Sequence, residues 1–421
     1  MSVAPHQIDM LVRDAVFAPD TEVRESHRHA IRQSASTLGI FPASTQGLYE
    51  AAGKGLYHDV TVPAINIRGI AYQVARAVFR AALKDRVGAF IFEIARSEIG
   101  YTKQSPDEYA ICVLAAAIRE GFQGPVFLQG DHFQVNQARF HSDPAKELAA
   151  IKTLIRESIA AGFLNIDIDA STLVDLARPT LDEQQENNYR VTAEMTDFIR
   201  RLEPQGVTIS VGGEIGEVGK RNSTVEELMA FMRGYRSMLP PGVKGISKIS
   251  VQTGTTHGGV VLSDGTIASV ELDFKTLEDL SRVARQEYGL GGAVQHGAST
   301  LPEEAFHHFP KVGTVEVHLA TGFQNIIYDS PYFPKELLDK IYRHLSENYG
   351  NERGKEDSEE QFLYKTRKKA FGDFKKEMWS LPEERYSGLR ETLEARFSLL
   401  FHKLNVADTV DLVNRFVVGP T

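Results

Sequence analysis

Between residues 60 and 330, eight short runs of β-branched and other apolar residues alternate with longer segments of helical periodicity. That alternation constrains the fold more than any other feature of the chain. The runs are Val62–Ile67, Ala89–Ile94, Val126–Gly130, Leu164–Asp169, Thr208–Gly212, Ile246–Val251, Ala293–His296 and Thr314–His318. Most are continuously apolar, the pattern of strands covered on both faces. Between them, Ile70, Val74, Ala77, Val78 and Ala81 share one helical face, as do Leu148, Ile151, Ile155 and Ile159. Ser223-x-x-Glu226 and Thr300-x-x-Glu303 read as capping boxes, the second with Pro302 in its first turn. Eight successive β-then-α units predict an α/β fold, a (β/α)8 TIM barrel. An open doubly wound sheet would want a glycine-rich phosphate turn after the first strand, and Asn66-Ile67-Arg68-Gly69 is not one.

The barrel is expected over residues 61–330. Residues 1–60 read as N-terminal helical decoration and 331–421 as a C-terminal helical extension, broken by the charged stretch Asn351–Glu360. Net charge is −9, with no Lys/Arg-dense stripe interleaved with aromatics, which argues against nucleic acid as a partner. The single cysteine, Cys112, excludes a disulfide framework and a Cys-ligated zinc site. No run is apolar and long enough to span a membrane, and Met1–Met10 lacks a signal-peptide pattern, so a cytoplasmic protein is expected.

The strand ends carry the chemistry. The third run ends in Gly130-Asp131-His132, the fourth in Asp167-Ile168-Asp169 and the fifth in Gly213-Glu214. The sixth ends in Thr256-His257-Gly258 and the seventh in Gln295-His296-Gly297. In a barrel the carboxyl ends of all strands meet on one face, where active sites sit. Three imidazoles and several carboxylates converging there form a divalent-metal constellation, with Zn²⁺ first on ligand type and Co²⁺ or Mn²⁺ as competitors. A lone histidine is more often a surface or satisfied core residue; three on strand ends favour metal.

An anion site is expected beside the metal. Gly297-Ala298-Ser299-Thr300 leads from the seventh strand into a helix start, where small residues let backbone N–H groups approach an oxyanion. Ala320-Thr321-Gly322 follows the eighth strand, and barrels often hold phosphate between these two loops. Gly258-Gly259 is a further candidate, against the plainer reading of all three as ordinary turns. The basic run Lys365, Arg367, Lys368 and Lys369 reads as a solvated face or a ligand contact. Lys248 reads as a lysine at a strand entrance, or as a Schiff-base nucleophile. Gly216–Arg221 reads as a glycine-hinged loop, with or without a role as a lid.

With these motifs in view, the sequence resembles the class II, metal-dependent ketose-bisphosphate aldolases. The correspondence runs from Val62-Pro63-Ala64-Ile65-Asn66 to the end of the barrel, with a weaker echo at Ala395–Leu404. Gly130–Asn136 and Ala161-Gly162-Phe163, leading to Asp167–Ser171, are similar to the long tagatose-bisphosphate aldolase subunit group. The resemblance implies that His132, His257 and His296 bind zinc, with Glu214 and Asp169 at an alternative or neighbouring cation position. It implies Asp131 as the acid/base at the C4 hydroxyl and Asn66, Gly258, Gly297, Ser299 and Thr321 as substrate and phosphate contacts. A basic residue near the chain's end, Arg367, Lys368 or Lys369, would reach a second phosphate in a neighbouring subunit, and Arg367 is the first choice.

Two departures stand out. The loop after the fifth strand lacks the family's acidic pair and offers only Glu217 for the second proton transfer. The last motif, usually Asn-x-Asp-Thr, reads His318-Leu319-Ala320-Thr321. The implied reaction is reversible cleavage of a fructose- or tagatose-type ketose 1,6-bisphosphate to dihydroxyacetone phosphate and an aldehyde, by a homodimer or larger homo-oligomer in glycolytic carbohydrate metabolism. The alternative is a non-catalytic companion subunit of a tagatose-bisphosphate aldolase complex; converging imidazoles argue against it, because a scaffold has no need of them. A metal-dependent hydrolase would fit the ligands but leave the phosphate loops unused.

Overall fold

The computed structural model describes residues 7–216, 221–254, 262 and 272–419. Among the described residues there are nine parallel strands: β1 (Ile40–Ala43), β2 (Val62–Asn66), β3 (Ile91–Ala95), β4 (Gly124–Gln134), β5 (Asn165–Asp169), β6 (Ser210–Glu214), β7 (Lys248–Val251), β8 (Ala293–Gln295) and β9 (Glu316–Leu319). Strands β2 to β9 pair in chain order and β9 returns to β2, which closes an eight-stranded barrel with helices outside it. The eight expected strands are these eight, with ends displaced by at most four residues.

Strand β1 is a correction to the all-helical reading of the first sixty residues. It pairs with the start of β4, Ile40 opposite Gly124 and Ala43 opposite Phe127. Four residues with Pro42 among them carry no periodicity of their own; the strand exists because β4 offers it an edge. The helix Gln46–Gly53 then closes the amino-terminal end of the barrel. Thr45 donates through its backbone N–H and its hydroxyl to Asn165 Oδ1 at 2.8 and 2.9 Å, and the Tyr49 hydroxyl reaches up to Glu316.

Two helix starts also differ. The helix Val225–Met238 is capped by Thr224 with Glu227, one residue beyond the expected pair, because Ser223 instead bridges to the backbone of Gln252. Around Thr300 two short 3₁₀ turns form, Ala298–Thr300 and Glu303–Ala305, and the only α-helix before the next strand is the single turn His308–Lys311. The Glu303 carboxylate pairs at 2.7 Å with Arg396 of the C-terminal helix Glu383–Lys403 rather than capping. That helix covers the outside of the barrel, with Phe397 against Phe323 and Phe401 against Phe90 at ring separations of 4.8 and 5.9 Å.

The barrel interior departs from the usual layers of branched aliphatic side chains. Lys248 is fully buried, and its ammonium donates to Glu316 Oε1 at 2.5 Å, Gln129 Oε1 at 2.7 Å and Asp167 Oδ2 at 3.0 Å. These partners come from β9, β4 and β5, so the lysine ties four strands together across the barrel. A Cβ on Gly212 would lie 2.3 Å from Asp167 Oδ1, so β6 must carry glycine beside this cluster. Buried ions of this kind hold a structure only when every charge is met, as it is at Lys248.

Candidate active site

Asp131 and His132 are consecutive, and successive residues of a regular strand point to opposite faces. Here both face the same cleft. The pairing of β4 with β5 shifts register between Gly130 and Phe133, and His132 has a left-handed backbone with φ of 40°. Such a bulge re-aims a side chain, and positive φ at a non-glycine residue is a strain held by its surroundings. The strand resumes to Gln134, which is why β4 outruns its expected end.

The carboxyl ends of the strands surround a cleft of about 1110 Å³. His132 Nδ1 lies 3.1 Å from both Asp169 Oδ2 and Glu214 Oε2. Its ring stands 4.1 Å from that of His296, and the Nε2 atoms of the two histidines lie 3.6 and 3.5 Å from Asp131 Oδ1. Asp169 is oriented from behind by Ser171, whose backbone N–H and hydroxyl donate to Oδ1, and by Gln134 on Oδ2. The structure therefore brings together Asp131, His132, His296, Glu214 and Asp169. His257, Gly258 and Glu217 lie outside the described residues, as does most of Gly216–Arg221.

The electrostatics separate the two imidazoles. Burial works to lower the His132 pKa, but Asp131, Glu214 and Asp169 override it and hold the group well above its ordinary value. His296 is pushed well below its ordinary value by burial and by the neighbouring His132 and His318. Burial opposes ionisation of Asp131, yet His132 and His318 hold its carboxyl well below the usual range. Asp169 is likewise held at about 2, against burial, by His132 and its hydrogen bonds. Ligand atoms of Asp131, His132 and His296 lie within 4.8 Å of one another, and so do those of His132, Asp169 and Glu214. Imidazole with ionised carboxylate is a donor set that fits Zn²⁺ and its first-row neighbours.

The other end of the cleft is cationic. Asn66, Gly297, Ser299 and Thr321 line it together with Arg68 and Lys368. Arg68 Nη1 donates to Thr321 Oγ1 at 3.3 Å, while its Nε pairs with Glu98 at 2.7 Å. Ser299 Oγ accepts from the Gly322 N–H at 3.1 Å, which joins the two phosphate-type loops. Lys368 arrives from the C-terminal extension, and glycine permits the approach. A Cβ on Gly69 would fall inside the Phe371 ring, and one on Gly372 would lie 2.1 Å from the Tyr101 carbonyl oxygen. The Lys368 ammonium lies 5.6 Å from the Tyr101 ring centroid and forms no ion pair among the described residues. Burial and the adjacent Arg68 push its pKa down.

Arg367 is placed differently. It is 5% exposed, and its guanidinium is bound by Asp329 at 2.7 Å and Asn325 at 2.7 Å, between the rings of Tyr328 and Tyr364. Within the short turn Arg367–Lys369, the cation that meets the cleft is Lys368. Sequence reading also passed over Arg68, Glu93 and His318 as site residues. His318 was visible as the departure from Asn-x-Asp-Thr, and Arg68 as a charge one residue beyond an apolar strand.

The sequence profile of the family described as Fructose-bisphosphate aldolase class-II matches residues 44–381. No curated protein matched the chain significantly. Among solved structures, the chain is similar to the YdjI aldolase from Escherichia coli K12, at 14% identity and a TM-score of 0.51, over 86% of this chain and 98% of that one. The fructose-bisphosphate aldolase of Campylobacter jejuni is similar at 14% identity and a TM-score of 0.51, over 88% and 96%. The fructuronate-tagaturonate epimerase UxaE from Cohnella laeviribosi is similar at 11% identity and a TM-score of 0.63, over 90% and 85%. At these identities the likeness concerns the fold. Among the described residues no helix is long and apolar enough to cross a membrane.

Proposed function

Since this chain belongs to the fructose-bisphosphate aldolase class-II family, we propose that it is a zinc-dependent aldolase that reversibly cleaves a ketose 1,6-bisphosphate. The products would be dihydroxyacetone phosphate and an aldehyde. The observation that carries the reading is one cleft with His132, His296, Glu214 and Asp169 at one end and Arg68, Lys368, Ser299 and Thr321 at the other. A phosphorylated sugar whose phosphate meets the cationic end while its reacting carbons meet the histidines and carboxylates suits that layout.

His132 and His296, with His257, would hold the cation, and Glu214 with Asp169 would hold its neighbouring position. When bound, the divalent cation supplies Lewis-acid stabilisation of the charge that develops as the C3–C4 bond breaks. Asp131 takes the proton of the C4 hydroxyl in the cleavage direction and returns it in condensation. Held well below the usual carboxylate range, it is ionised and carries no proton of its own. Arg68 and Lys368 hold a phosphate with Ser299 and Thr321, so that binding energy remote from the reacting carbons orients them. Glu217 is the candidate for the proton on the dihydroxyacetone phosphate carbon.

The test is Asp131→Ala, assayed for cleavage of fructose and tagatose 1,6-bisphosphates. Turnover should fall by about 10²- to 10⁴-fold, the usual worth of a positioned acid/base, while zinc content stays at the wild-type level. Unchanged turnover would remove Asp131 from the mechanism. An isolated chain without activity toward either sugar would favour the companion-subunit alternative.

A further inference from the structure

The orientation of Asp131 is set from beneath the cleft. His318, on β9, places Nδ1 at 3.1 Å from Asp131 Oδ1 and 3.0 Å from Glu93 Oε2. Its Nε2 lies 2.6 Å from Glu316 Oε1. Glu316 cannot yield, because Lys248 holds the same oxygen at 2.5 Å and the Tyr49 hydroxyl holds the other. All of these groups are at least 95% buried. A continuous chain therefore runs up the barrel axis from Lys248 through Glu316 and His318 to Asp131.

We infer that His318 is a positioning residue for Asp131, anchored by Glu316 and Lys248, and that it decides which carboxylate oxygen meets the substrate. Among the described residues, the contacts of Asp131 with His318, His132 and His296 all fall on Oδ1. Oδ2 is thereby left as the oxygen for a hydroxyl in the cleft that Asp131 lines. A reacting group oriented by a neighbour, which is oriented in turn by a third, is the general arrangement by which side chains are held for proton transfer. Imidazole suits the task, since nitrogens on two edges of one ring let it hold Asp131 while being held by Glu316. The family's asparagine at this position carries one terminal amide and no second ring edge. The inference rests on Asp131 as the acid/base, and it extends that assignment to the residue that orients it.

The test uses the full-length zinc-loaded protein with fructose 1,6-bisphosphate, comparing His318→Leu, His318→Asn and Asp131→Asn. Misplacement of a reacting group by about 1 Å can cost on the order of a hundredfold. His318→Leu should therefore lower kcat by about tenfold to a hundredfold, with KM within twofold and zinc content unchanged. His318→Asn, which restores one donor toward Asp131, should recover most of kcat; a merely space-filling role would predict no rescue by a polar residue. A crystal structure of the Leu variant should show the Asp131 carboxylate turned from its present rotamer, a readout independent of activity. Wild-type kcat in the Leu variant, or an unmoved Asp131 in its crystal structure, would overturn the inference. Wild-type kcat in Asp131→Asn would instead overturn the acid/base assignment, and the Leu crystal structure would still report whether His318 holds Asp131.

Discussion

The rings of His132 and His296 lie 4.1 Å apart although three strands separate β4 from β8 in the barrel. Two imidazolium ions would repel at that distance, and His296 stays neutral because burial, His132 and His318 all act on it in the same direction. A neutral imidazole is the form that binds metal. Zinc at about a hundred times its dissociation constant should stabilise the fold by about 2.7 kcal/mol. A thermal melt of metal-depleted protein, with and without added zinc, should show a clear rise in Tm. His296→Ala should abolish that rise; a variant that keeps it would place the metal elsewhere.

The adjacent cations Arg367 and Lys368 are expected to behave oppositely on mutation. Lys368→Met removes a charge that faces the cleft and lacks an ion-pair partner among the described residues. Hydrogen bonds to charged groups contribute about 1.5–3 kcal/mol, so KM for a bisphosphate should rise by about tenfold to a hundredfold with Tm nearly unchanged. Arg367→Met breaks a buried set of contacts with Asp329 and Asn325 and should lower Tm. A Lys368 variant with unchanged KM would show that the anion end is built from Arg68 and the loops alone.

Glu93 gives the pH dependence a definite sign. Burial, and then the charge of Asp131, push its carboxyl up to about 7. An unfolded glutamate titrates near about 4.3, so the native state holds a proton that the unfolded chain releases. That stabilisation is complete below about pH 4.3 and is lost as the pH rises through 7. Asp167, raised to about 6 mainly by burial, acts in the same sense. In metal-depleted protein, Tm should fall between pH 5 and 8, and Glu93→Gln should fall less, the difference being on the order of 3 kcal/mol. Parallel melting curves for the two proteins would show that Glu93 is already ionised at pH 5.

Lys248 is expected to be inert as a nucleophile. Burial acts to lower its pKa, but Asp167 and Glu316 raise it above the ordinary lysine value, so the amine stays charged. Borohydride added during turnover should trap no adduct, and Lys248→Met should destabilise the protein by about 3–5 kcal/mol by leaving buried carboxylates unpaired. A trapped covalent adduct on Lys248 would contradict this.

What could be read from the sequence followed from what each residue depends on. Eight barrel strands were legible because both faces are covered and the runs are apolar. Asp131, His132, Asp169, Glu214 and His296 were legible because barrel topology gathers strand ends. Strand β1 was not, since Ile40–Ala43 takes its form from an edge of β4. That Asp131 and His132 share a cleft depends on a bulge with positive φ, which no pattern of residue types announces. Which of three consecutive basic residues meets the cleft depends on a single 3₁₀ turn, with Phe371 just beyond it seated against Gly69. His318 reads as a lost asparagine until Glu316 and Lys248 are seen beneath it.

The most direct measurement is cleavage of fructose and tagatose 1,6-bisphosphates by the purified chain alone, before and after chelation and again with zinc restored. The account predicts cleavage that chelation abolishes and zinc recovers, with dihydroxyacetone phosphate among the products. Cleavage that persists after complete chelation would contradict it.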